Sequence, residues 1–147
     1  AEISALQPEV QYLGFATGAD DHAQFSIAFP KSWNEGTVTY RVYWSSTATD
    51  TDGVTWGLMA TSMSDNVAMG ASFGTAVLVD DAAQSAANEL YVSPTSSALT
   101  IGGSPAEGDL CFFDIYRDVS DGNDTMGEDA RLMGIVISYT TDAGTDD

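Results

Sequence analysis

Apolar and polar residues alternate along most of this chain. In GTVTYRVYW (36–44), Val38, Tyr40, Val42 and Trp44 fall on one side of an extended backbone, and Thr37, Thr39, Arg41 and Tyr43 fall on the other. That period of two is the signature of a half-buried β-strand. The same alternation runs through FSIAF (Phe25, Ile27, Phe29), VTWGLMA (Val54, Trp56, Leu58, Ala60), LCFFDIYR (Cys111, Phe113, Ile115) and LMGIVISY (Met133, Ile135, Ile137, Tyr139). β-branched and aromatic residues dominate these segments, as a pleated surface favours. Shorter strands are predicted at Gln11 to Ala16, Thr75 to Val79, Leu90 to Val92 and Ala98 to Ile101.

Turn-forming residues separate the strands, in FPKSWNEG, STATDTDG, MSDN, IGGSPAEGD and SDGND. The one stretch with helical spacing, DDAAQSAAN, buries only alanine and reads as a short helical or irregular crossover. The chain of 147 residues reads as a single domain, 1–147, in which 1–10 form an extended N-terminal arm. The predicted fold is all-β: a two-sheet antiparallel β-sandwich of jelly-roll type with about eight or nine strands. An immunoglobulin-like sandwich is the nearest competitor. The long polar connection from Met63 to Thr75 favours the jelly roll, since Greek-key crossovers need longer connections than hairpins.

Charge narrows the partners. Twenty-two carboxylates against Lys31, Arg41, Arg117 and Arg131 give a net charge of −18. Such a field repels phosphate backbones and anionic lipid headgroups, so neither nucleic acid nor a membrane surface is an expected partner. The longest apolar runs fall far short of the roughly 20 residues that span a bilayer.

The densest charge lies in RDVSDGNDTMGEDAR, from Arg117 to Arg131. Calcium is the sharp reading of its carboxylates, but with Gly122 at the sixth position of a calcium loop, Arg117 stands first and Val119 third. The loop TATDTDGVTW places Asp50 and Asp52 well around Gly53 yet has Ala48 first and Met59 last. The expectation is therefore no metal, and a long connection whose carboxylates make turn hydrogen bonds and neutralise Arg117 and Arg131 at the facing ends of two paired strands. No spacing singles out two carboxylates as a glycosidase pair, the serine-rich stretches lack a nucleophile elbow, and the single cysteine, Cys111, has only His22 to activate it. No catalytic residue and no cofactor is assigned. Trp44 and Trp56 fall on apolar strand faces and read as core. Trp33, between Pro30 and NEG, reads as a lid on the sandwich edge or an interface anchor. Ile3, Leu6 and Val10, in a segment broken by Pro8, complete the candidate interface.

FPKSWNEGTVTYRVYW, GVTWGLMATSMSDN, FGTAVLV and AEGDLCFFDIYRDVSDGNDTMGEDARLMGIVISYTTDA together resemble a group of small structural proteins of tailed bacteriophages, over about Phe25 to Ala143. The resemblance implies a non-enzymatic virion protein with a jelly-roll sandwich that assembles around a threefold axis. It would be assembled in the host cytoplasm and carried on the outer surface of the phage head. Its partners would be its own copies, as a homotrimer, and the major capsid protein, which it would cement as a capsid decoration protein. The alternative is a tail-fibre receptor-binding or carbohydrate-binding domain.

Overall fold

The computed structural model describes residues 8–142, and within them the predicted alternation becomes eight strands and no helix. These are β1 (Leu13–Phe15), β2 (His22–Ala28), β3 (Trp33–Ser45), β4 (Gly53–Met63), β5 (Val77–Ala82), β6 (Tyr91–Val92), β7 (Leu110–Arg117) and β8 (Ala130–Thr141). They form two antiparallel four-stranded sheets, one in the order β1-β8-β3-β6 and the other β2-β7-β4-β5. Strand β1 pairs with β8, β2 with β7, β3 with β6 and β4 with β5, so the chain is one long nested hairpin rolled into two layers. That is the jelly roll, and it leaves the immunoglobulin-like order aside.

The predicted reason for the jelly roll does not survive. The connection from Ser64 to Ala76 returns to the neighbouring position in the same sheet, joining β4 to β5, whereas all six other connections cross between the layers. The crossings can be short because the layers lie face to face.

Between the layers, Val38, Tyr40, Val42 and Trp44 of β3 pack against Val54, Trp56, Leu58 and Ala60 of β4 and Cys111, Phe113 and Ile115 of β7, all essentially inaccessible to water. Polar tips in this core tie the sheets together. The Tyr40 hydroxyl donates toward the Val77 carbonyl at 2.7 Å, and Trp44 Nε1 donates to Asp81 Oδ2 at 2.8 Å. In β8 the predicted parity breaks once. Tyr43 pairs with Gly134 and Trp44 with Leu132, so Met133 is the extra residue of a bulge and Leu132 takes the inward place assigned to it.

The strand predicted at Ala98 to Ile101 is only a bridge between Leu99 and Val38. Ser93 and Ser96 explain it: their hydroxyls accept from the Val42 and Tyr40 amides at 2.9 Å each, in place of backbone carbonyls. The segment thus completes the edge of β3 without strand geometry, and Pro94 fits there because no amide is needed from it. The alanine-rich stretch is no helix; β5 runs to Ala82, and Ser85 and Asn88 then adopt left-handed φ of 71° and 63°.

Candidate interaction surface

Four connections, 16–21, 46–52, 83–90 and 118–129, gather at one end of the sandwich. Ser85 N reaches Asp50 O, Asn88 N reaches Ser46 O, Asp118 N reaches Thr55 O, and Val119 N reaches Asp20 Oδ1. They hold ten of the 22 carboxylates: two, two, one and five in that order. This end is an acidic pole.

Its anchor is Arg117, which sequence parity places with Cys111, Phe113 and Ile115 on the inward face of β7. The guanidinium is fully buried, and all five of its N–H donors are used. Nε and Nη2 take Asp124 Oδ2 and Oδ1 at 2.9 and 2.7 Å, Nη2 also takes Met126 O at 2.7 Å, and Nη1 takes Glu128 O at 2.8 Å and Phe15 O at 3.3 Å. Asp124 Oδ2 also accepts the Thr55 amide. One buried cation thus holds the base of the loop and offsets one of its five carboxylates, so the loop stays acidic. The expected meeting of Arg117 and Arg131 is corrected: β7 and β8 lie in different sheets, and Arg131 stacks outside on Tyr12, 5.0 Å from the ring centroid. Elsewhere in the loop, Asp118 accepts from Ser120 and Asp121 from the Asn123 amide, the local turn bonds expected of such residues.

The two outer faces differ in chemistry. On the β2-β7-β4-β5 sheet, Asp114 is 4% exposed, with His22 Nδ1 at 2.8 Å from one oxygen and Gln24 Nε2 at 3.0 Å from the other. The His22 ring stacks on Tyr116, which lies over Gly57, where an added Cβ would come within 2.4 Å of the phenol. Burial first, and the charges of Asp118, Asp20 and Asp114 after it, raise the Tyr116 hydroxyl above its ordinary pKa. His22 and Cys111 do not meet: one lies on the outer face opposite Tyr116, the other in the core opposite Ile27.

The outer face of β1-β8-β3-β6 is different. Arg41 and Tyr43 of β3 stand beside Val136 and Gly134 of β8, and Val92 of β6 stands beside Tyr43. Val92 and Val136 are each about two-fifths exposed. The strands of this sheet carry one carboxylate, Glu35, near the start of β3 and away from this patch. Arg41 is exposed, and the one hydrogen bond of its side chain among the described residues goes to Thr95 Oγ1 at 2.8 Å. Along the open side of the sandwich, between β1 and β2, lies an apolar groove of about 450 Å³ lined by Tyr12, Leu13, Phe25, Leu132 and Ile135.

Of the interface residues named from the sequence, Ile3 and Leu6 lie outside the described residues, and Val10 is half-buried. Trp33 takes the first of its two expected roles, the lid: at 4% exposure it stacks on Phe29 with centroids 4.3 Å apart and closes the core. All three tryptophans are buried, so none supplies a flat sugar-stacking platform. The face around Arg41 was missed because alternation marks a residue as outward without saying which outward residues share a sheet. The chain matches no family model, no curated protein and no solved structure.

Proposed function

We propose that this is a non-enzymatic structural protein of a tailed-phage virion, a homotrimer on the outer surface of the head that cements neighbouring major capsid subunits. The observation that carries the reading is the nested eight-strand jelly roll with its charge sorted, an acidic loop pole at one end and a nearly carboxylate-free sheet face at its side. Jelly rolls recur in capsid proteins, and charge sorting of this kind suits a protein that must dock in one orientation and stay non-adhesive elsewhere. Three modest footprints held in one trimer would bind a threefold position far more tightly than one alone. The test is the number of copies per purified particle by quantitative mass spectrometry. Many copies, in proportion to the major capsid protein, support the head; a handful, with binding on a glycan array, supports the tail-tip alternative; absence from the particle refutes both.

A further inference from the structure

We propose that the face of the β1-β8-β3-β6 sheet around Arg41 is the contact between copies, and that it receives the acidic loop pole of a neighbour. This rests on the reading of the protein as an oligomer and says which surfaces make it one.

Two copies of charge −18 repel, and the repulsion is least where the approaching surface carries no carboxylate. Among the described residues the patch around Arg41 is such a surface. Its composition also fits an interface centre: an arginine and a tyrosine between two exposed valines, with open space above Gly134, where an added Cβ would meet nothing within 4 Å. Arg41 has no carboxylate partner among the described residues of its own chain. Arg131 is less available, because it sits in a notch with Glu128 and Asp129.

Charge decides the geometry. Pairing this face with itself would set Arg41 against Arg41. Pairing it with the pole supplies carboxylates, and the side chains of Asp52 and Asp129 there accept no hydrogen bond and join no ion pair with any described residue. The face looks out along the sheet normal and the pole along the strands, so one copy can offer its pole to one neighbour while receiving the pole of another. A head-to-tail contact of that kind closes into a ring or runs on as a filament, and a threefold ring is its compact closed form.

Light scattering on size-separated protein tests this with wild type, Arg41→Glu, the double variant Asp52→Lys/Asp129→Lys, and the two sets combined. Thermal melts check that each stays folded. Expected are a trimer for wild type, monomers for each set alone, and a restored trimer when the swapped charges stand in one chain. Mixing the two monomeric variants should give one-to-one assemblies with an even number of copies and no trimer, since the unchanged face of one meets the unchanged pole of the other, the substituted face meets the substituted pole, and a threefold ring cannot alternate two kinds of copy. The lysine variant also lowers the charge from −18 to −14, so tighter association there would mean that repulsion alone governs assembly and would overturn the pairing. A trimer unchanged in both variants overturns the surface assignment and leaves the oligomeric reading standing; a wild type that stays monomeric on and off the particle overturns both.

Discussion

A fully buried guanidinium with every N–H occupied makes Arg117 the residue on which the acidic pole depends. Removing one partner of a buried pair leaves the other charge uncompensated, which costs about 3–5 kcal/mol. Asp124→Ala should therefore lose stability on that scale in urea denaturation, while Asp129→Ala, at an exposed position, should leave the curve almost where it was. The sequence held the clue: parity with Cys111, Phe113 and Ile115 puts Arg117 inside, yet its place beside five carboxylates suggested a surface pair. Cys111 gives a second residue-scale test. Burial, with the charge of Asp109 second, pushes its thiol from an ordinary value near 9 up to about 11. The folded chain then holds the proton more tightly than the unfolded one, so the stability tied to it is whole below about pH 9 and is lost as pH rises toward 11. Expected are a thiol that ignores a disulfide reagent near neutral pH until denaturant is added, and a stability decline beginning near pH 9 that Cys111→Ala flattens before the tyrosines begin to titrate.

Among elements, the long strands were legible because alternation sustained over seven or more residues belongs to a half-buried strand and to little else. What alternation could not supply was partnership. The pairing of β7 and β8 was expected from adjacency in sequence, and the β4–β5 connection was read as a crossover from its length; both depend on which sheet a strand joins, which is decided by contacts far along the chain. The 118–129 loop is likewise held by β4, a strand distant in sequence. Gly53 O accepts the Thr125 and Met126 amides, each at 3.0 Å, and Gly53 N donates to Thr125 Oγ1 at 2.9 Å. An added Cβ at Gly53 would stand 2.5 Å from the Asn123 carbonyl oxygen, a backbone atom with no rotamer to escape into. Gly53→Ala should cost about 1–3 kcal/mol, as overpacking does, and should speed hydrogen exchange at the Thr125 and Met126 amides. Gly70→Ala, where a Cβ meets nothing within 4 Å, is the matched control and should change neither.

For the whole molecule, the buried cluster of the described residues is built from strands and loops between Phe15 and Leu132, with Ile135 and Ile137 packed against it. Deleting Ala1 to Gln7 should leave the melting temperature nearly unchanged while lowering occupancy on particles; full occupancy after that deletion would remove the arm from the attachment scheme. Alternation made the all-β class legible, but neither it nor composition could show that the charge is sorted by position, because loops scattered through the sequence meet only in the folded chain. The nested pairing also bears on how the protein is made. Strand β8 lies between β1 and β3, so one of the two sheets has no continuous middle until the last strand has left the ribosome. Folds dominated by such distant pairings acquire their structure in milliseconds to seconds, slowly beside helical domains. During synthesis the emerging chain must carry β1 unpaired and β3 with one edge open, and its carboxylates then serve a second purpose: nascent copies on neighbouring ribosomes repel one another while those edges are still exposed.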